Sequence, residues 1–327
     1  MKRILKNLKS DCYYFKEDTK IRFKKHLFFE RIMIKIAVVG DIILDKNSYV
    51  YYNTKRENAP VYDCIEERWQ AGGAANVAIN LASLGASVDL VGVVGKDREK
   101  EILQQNIEKQ NVRCFLIIDD TRRTSVRHRI ISQTKKIMRI AYEDRISLTN
   151  LQIQKIINQL KNYDAIVLVN YQNGMITPQL LDALSTISVP MFIDPKSMDL
   201  KRRYNFKLVK INSEDCRLAT KEKDDLNGGR VLQRKLQTNI CLTRGKKGSV
   251  FFGDGSKPIL AKNTFESIID ETGAGDTFFA VIVMQLLEGK TPQEAIHNAN
   301  FLANVATQHQ VVYSISKEEL HDVPLFP

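Results

Sequence analysis

The stretch Ile268-Ile269-Asp270-Glu271-Thr272-Gly273-Ala274-Gly275-Asp276-Thr277 holds the residues best placed to do chemistry. The ten residues behind it, 278 to 287, are almost wholly apolar, and the run stops at Gly289. Such a run without a polar face reads as a buried central helix. Two glycines and an alanine at its entry leave backbone N–H groups uncovered. Those donors, with the positive end of the helix dipole, favour a phosphate or a developing anion. Asp276, in the first turn, can take a proton from an incoming hydroxyl. The competing reading is a plain helix cap that begins with a tight turn.

Other candidates sit where strands end. Ile34-Lys35-Ile36-Ala37-Val38-Val39-Gly40 reads as a buried strand, and Asp41 and Asp45 lie just beyond its carboxyl end, where open α/β sheets bind ligands. Ala71-Gly72-Gly73-Ala74-Ala75-Asn76-Val77-Ala78 opens a helix whose small residues allow close backbone approach. Lys196 follows another strand end and can meet a phosphate or simply face solvent.

The elements that must carry these residues alternate. Residues 46–70 change to hairpin patterning, the mark of a small β lid inserted after the first strand. Residues 112–142 return to β patterning and are expected beside that lid. From about residue 149 helices and strands alternate, which argues for a mostly parallel sheet covered on both faces. Thr291-Pro292-Gln293-Glu294 is a capping box with proline at the first helical position, opening a last long helix to about Gln308.

Bulk properties narrow the class. The chain has 327 residues, 43% hydrophobic and 27% charged, an ordinary globular composition. No apolar run reaches membrane-spanning length, so a soluble protein without a membrane partner is expected. Net charge is +11, but residues 1–32 hold ten Lys or Arg against four Asp or Glu. That basic N-terminal extension lacks the apolar core of a signal peptide. The remaining positive charge suits anionic substrates and is not a nucleic-acid signature. Five scattered cysteines without C-x-x-C spacing fit reduced thiols in the cytoplasm.

Together these stretches resemble the PfkB (ribokinase-like) family of carbohydrate kinases. One signature is matched by Gly72-Gly73-Ala74-Ala75-Asn76-Val77-Ala78 with Gly85 and Gly95, the second by Asp270 and Thr272-Gly273-Ala274-Gly275-Asp276. Within the family the chain is most similar to the D-glycero-D-manno-heptose 7-phosphate kinases. That similarity rests on Val39-Gly40-Asp41-Ile42-Ile43-Leu44-Asp45, Asn58-Ala59-Pro60-Val61, Ile193-Asp194-Pro195-Lys196 and Leu242-Thr243-Arg244-Gly245. Some relatives carry a fused nucleotidyltransferase domain; the length here corresponds to the stand-alone kinase.

The resemblance implies a three-layer α/β/α sandwich over residues 33–327 with a β-sheet lid, pairing between subunits into a homodimer. It implies ATP as phosphoryl donor, Mg²⁺, and a sugar or sugar phosphate as acceptor. Asp276 matches the family's base, and the amides of Gly273, Ala274 and Gly275 its anion hole. Asp45, Gly72, Gly73 and Asn76 match sugar contacts. Asn212 matches the asparagine of an N-x-x-E motif linked to magnesium and phosphates, whose acidic position falls on Asp215 with Glu214 adjacent. Thr243 and Gly245 match the nucleotide-side loop, and Asn300 a residue near the adenine pocket. Several positions depart from the family. Asn170 and Asn173 stand where Asp and Lys are usual, Asn58 where Glu is usual, and Val311 where glycine is usual. Glu271 adds negative charge beside the anion hole. Two alternatives follow: a PfkB kinase for another sugar, sugar phosphate or nucleoside, or a kinase-fold protein that binds such ligands as a regulator without turnover.

Overall fold

Alternation of apolar side chains along the strands, which turns successive residues to opposite faces, organises the whole core. In this computed structural model the described residues are 33–56, 59–133, 135–196, 203–255, 257–263, 268–321 and 323. The basic stretch 1–32 and Asn58 lie outside them. The chain runs β1 (Lys35–Gly40), β2 (Ile42–Arg56), β3 (Ala59–Gly73), α1 (Ala74–Ser83), β4 (Ser87–Val94), α2 (Arg98–Glu108) and β5 (Val112–Ile118). It continues through β6 (Val126–Ser132), β7 (Lys135–Tyr142), α3 (Asn150–Gln159), β8 (Ala165–Val169), α4 (Pro178–Leu184), β9 (Met191–Asp194) and β10 (Phe206–Asn212). Then come α5 (Ser213–Thr220), α6 (Asp225–Leu236), β11 (Asn239–Thr243), β12 (Ser249–Phe252), β13 (Ile259–Ala261), α7 (Ala274–Leu287), α8 (Pro292–Ala306) and α9 (Lys317–His321).

Nine strands form the main sheet in the order β13-β12-β11-β10-β9-β8-β1-β4-β5. Pairing is parallel from β11 through β5, and β12 and β13 add an antiparallel edge. Along β1, Ile36 and Val38 pack on the side of α1, α2, α7 and α8, while Ala37 and Val39 pack on the side of α3, α4 and α6. Both faces are therefore covered, as the run of apolar residues in each strand requires.

A second sheet, in the order β3-β2-β6-β7, forms the lid. Its strand β2 starts at Ile42, straight from β1, and β3 runs to Gly73, straight into α1. The expected placement of residues 112–142 needs one correction. β5 joins the main sheet parallel to β4, and only β6 and β7 join the lid. The cause is visible in its sequence: residues 114–118 are continuously apolar, the pattern of a strand that follows a crossover helix, not of a one-sided hairpin.

Helix α7 is buried from Asp276 to Gln285 and packs against α1 and α8. Val311, at the position where glycine is usual, has a φ of 62°, a conformation that costs a β-branched residue. Phe279 is fully buried in α7. Phe279→Ala should lower unfolding stability by about 3–5 kcal/mol, read as a shift in urea midpoint with an unchanged slope.

Candidate functional site

The carboxyl ends of β1, β8, β9, β10 and β11 and the entry to α7 converge on one edge of the main sheet, and the polar residues gather there. Gly273 occupies the cap position of α7 with a φ of 83°, and no side chain caps the helix. The N–H of Ala274 donates to the Glu271 carbonyl at 3.2 Å, within the turn. Among the described residues no acceptor faces the N–H of Gly273 or Gly275. Of the three amides expected to bind an anion, two stand free and Ala274 is engaged locally.

Asp276 is 4% exposed. Its Oδ2 accepts from Asn76 Nδ2 at 3.0 Å and its Oδ1 from the Tyr171 hydroxyl at 2.7 Å. Asn76 is fixed in turn by Asn80, whose Nδ2 donates to Asn76 Oδ1 at 3.0 Å. Tyr171 owes its place to Asp41, whose carboxylate accepts the backbone N–H groups of Tyr171, Asn173 and Met175 at 2.6, 3.2 and 3.0 Å. Burial, with Asp276 beside it, pushes the Tyr171 phenol far above its ordinary pKa, so it serves only as a donor. Lys196 and Arg127 each lie 4.6 Å from the Tyr171 ring centre.

Asp45, on β2, faces the same space. Burial raises its pKa; Arg129, bonded to Oδ1 at 2.7 Å, and Arg127 oppose that rise, and the charge of Asp276 adds to it. The two carboxylates thus share one electrostatic field. Gly72 packs directly against the Asp45 carboxylate, where any Cβ would collide with it. Gly73 makes the bend from β3 into α1, with a φ of 59°. Two residues along from Asp45, Asn47 is fully buried and neither of its side-chain polar atoms has a partner. Arg127, Arg129 and Arg139 also lie on this lid face, since their register partners are Asp45, Asn47 and Arg129. Glu143 answers Arg127 at 2.6 Å and Asp45 answers Arg129. Burial and the two neighbouring arginines lower the pKa of Arg139.

The other expected residues line a cavity of about 400 Å³ on the far side of the α7 entry. Asn212, Glu214, Thr243, Gly245, Ala274, Gly275 and Asn300 all contribute to its wall. Asp215 does not line it: the Asp215 N–H and carboxylate are tied to Asn212 at 2.8 and 2.7 Å, which caps α5. Asn300 is likewise held, accepting from Ser249 and donating to the Lys262 carbonyl. Asn304 was missed from the sequence, although it lies one turn after Asn300 on the same helix face. Its Nδ2 and the Oδ1 of Asn263 are buried in the cavity region without partners. No cluster of three His, Cys, Asp or Glu able to hold a metal occurs among the described residues. The residues present fit a hard cation reached through water, because Glu214 lends an exposed carboxylate to the cavity wall.

Comparison with known proteins agrees with this geometry. The chain is 28% identical over 299 residues to the bifunctional protein HldE of Haemophilus influenzae (strain PittEE), covering 88% of this chain and 63% of that protein. It is 30% identical over 311 residues to an uncharacterized sugar kinase of Buchnera aphidicola subsp. Schizaphis graminum, covering 92% and 98%. The fold matches phosphofructokinase-2 from Escherichia coli in complex with substrates and products, with a TM-score of 0.74 at 14% identity over 89% of this chain and 98% of that one. It also matches Arabidopsis thaliana ribokinase complexed with ribose and ATP, with a TM-score of 0.70 at 18% identity over 89% and 99%. The profile of the pfkB family of carbohydrate kinases matches residues 33–319, and the chain belongs to that family.

Proposed function

We propose that this carbohydrate kinase transfers the γ-phosphoryl group of ATP to D-glycero-D-manno-heptose 7-phosphate, giving the 1,7-bisphosphate. The observation that carries the reading is the placement of Asp276 at the mouth of α7, between the polar lid face and the cavity walled by Asn212, Thr243 and Asn300. ATP would lie in that cavity, with the free donor of Asn304 and the free acceptor of Asn263 suited to an adenine edge. Asp45, Asn76 and the backbone at Gly72 and Gly73 would orient the acceptor's hydroxyls. Arg139 on the lid face and Lys196 just past the end of β9 would offer positive charge to a phosphate on the acceptor. Similarity to HldE supports the heptose in particular.

Asp276 would receive the hydroxyl proton as the acceptor oxygen attacks. With a loose transition state, position and charge neutralisation matter more than base strength. A carboxylate held by Asn76 and Tyr171 is fixed in direction, which suits that kind of transition state. Magnesium, when bound, would neutralise charge on the triphosphate oxygens. Its contact with the protein would run from Glu214 through water, with Asn212 and Asp215 maintaining the shape of that wall. The lid would exclude water that could otherwise accept the phosphoryl group. Exposed Tyr51, Tyr52, Tyr62, Ile65, Ile137 and Met138 on the lid strands support pairing of two lids in a homodimer. Residues 33–327 would form the kinase unit, with 1–32 as an extension outside it. The described cysteines are free thiols, which suits the cytoplasm. No helix among the described residues is long and apolar enough to cross a membrane.

A second acceptor class is favoured by one observation: Asn170 and Asn173 are uncharged, and both are buried beside Asp41. An unphosphorylated sugar or a nucleoside would need no added cation there. In a coupled ADP-release assay, heptose 7-phosphate should give the highest kcat/KM in a panel of sugars and sugar phosphates; a higher value for an unphosphorylated sugar would reject the heptose phosphate reading. With the preferred acceptor, Asp276→Asn should lower turnover by about 10²–10⁴-fold, and a loss of only a few-fold would remove Asp276 as the base. Sedimentation velocity should give a dimer at micromolar protein, and a monomer would reject lid pairing.

A further inference from the structure

In the buried charge group at the ends of β9 and β10, Lys210 and Asp194 have no part in the mechanism described so far. Lys210, on β10, is 2% exposed, and its Nζ donates to Asp194 Oδ2 at 2.9 Å. Lys196 reaches the same oxygen at 3.3 Å. Burial works against the Asp194 charge, but the two lysines outweigh it and hold its pKa below the usual carboxylate value. The trio carries one net positive charge inside the protein. An ammonium has three N–H donors, and Asp194 is the one acceptor Lys210 meets among the described residues. A buried ammonium with two unanswered donors is costly. Packing alone does not explain it, because Val209 and Ile211 beside it are ordinary core residues.

The direction of the side chain identifies what the free donors meet. Lys210 projects to the α7 side of the sheet, as Leu208 and its register partner Cys241 do. A Cβ built on Gly275 would lie 3.2 Å from Lys210 Nζ, with no other heavy atom within 4 Å. The ammonium therefore rests against the second residue of α7, whose own N–H is free and which lines the cavity walled by Asn212, Thr243 and Asn300. Glycine at this position leaves the gap between ammonium and cavity open.

We propose that Lys210 is a catalytic residue that grips the migrating phosphoryl group together with the free amides of Gly273 and Gly275. The acceptor oxygen forms its bond to the terminal phosphorus while the bond from that phosphorus to the β–γ bridging oxygen breaks. The bridging oxygen keeps the electron pair and leaves with ADP, and the hydroxyl proton passes to Asp276. Lys210 offsets charge on the non-bridging oxygens throughout, including the charge that Glu271 adds at the cavity wall. This role rests on ATP occupying the cavity walled by Asn212, Thr243 and Asn300.

The test is calorimetric titration with ADP and with the non-hydrolysable analogue AMP-PNP, each with magnesium, beside melting temperature and turnover. In Lys210→Met the Kd for AMP-PNP should rise about 10–100-fold, the loss expected for a hydrogen bond between charged groups. The Kd for ADP should stay within about 2-fold, and turnover should fall by about 10²-fold or more. The double variant Asp194→Asn with Lys210→Met removes the buried ammonium together with its carboxylate partner, leaving the partly exposed Lys196 as the one charge of the trio, and guards against misfolding; it should melt near wild type and show the same selective loss. Gly275→Ala, which keeps both charges and interposes a methyl, should also weaken AMP-PNP more than ADP. Equal weakening of both nucleotides, or of neither, in a double variant with wild-type melting would overturn the role. Failure of the wild-type protein to bind either nucleotide would instead reject the cavity assignment, and Lys210's role with it.

Discussion

Helix α7 enters the interior with no side chain capping its first turn, and that unanswered end dictates what can surround it. The first turn of a helix holds N–H donors with no intrahelical partner. Here the Ala274 amide is satisfied within the turn, while those of Gly273 and Gly275 meet no acceptor among the described residues. The dipole of a wholly buried helix is poorly screened, so positive potential is concentrated at this mouth. Nearby acidic groups must then be held at fixed distances rather than left to collapse onto the amides. Asn76 and Tyr171 do this for Asp276 by occupying one lone-pair direction on each of its oxygens.

The same constraint explains why charges here come in tied sets. Asp45 is bound by Arg129, Glu143 by Arg127, and Asp194 by Lys196 and Lys210. Asp45 and Asp194 are buried, and a buried carboxylate needs a cation or several N–H donors to offset lost hydration. Asp41 takes the second course, with three backbone donors, yet burial still lifts its pKa. Its work is mechanical: it gathers residues 171–175 into the loop that presents the Tyr171 hydroxyl.

Much of this was legible in the sequence. The glycine-rich entry to an apolar helix marked α7 and Asp276. The small residues at 72–78 marked the close approach of α1, and strand ends marked Asp41, Asp45 and Lys196. What escaped depends on contacts between distant segments. Tyr171 looks like one residue of a polar loop until Asp41, 130 positions away, folds that loop inward. Lys210 reads as an interruption in an apolar strand, since nothing local reveals that Asp194 sits on the neighbouring strand. β5 was drawn toward the lid because alternation and continuous apolarity are hard to separate over seven residues, and only the preceding helix argues for a parallel crossover. Asp215 matched the family position, but its hydrogen bonds to Asn212 make it part of a helix cap.

The lid is rooted very near its ligand-facing carboxylate. β2 leaves the core at Ile42 and runs for 15 residues, a span of about 50 Å at the usual rise per residue. Asp45 stands three residues from the root, roughly 10 Å along that span. Ala74 N–H donates to the Asp41 carbonyl at 2.9 Å and ties the two roots together. A swing of about 5° at that joint would carry the far tip through roughly 4 Å while shifting Asp45 by less than about 1 Å. The lid is an unequal lever, so its outer end can yield to a neighbour with little disturbance to the carboxylate near its root.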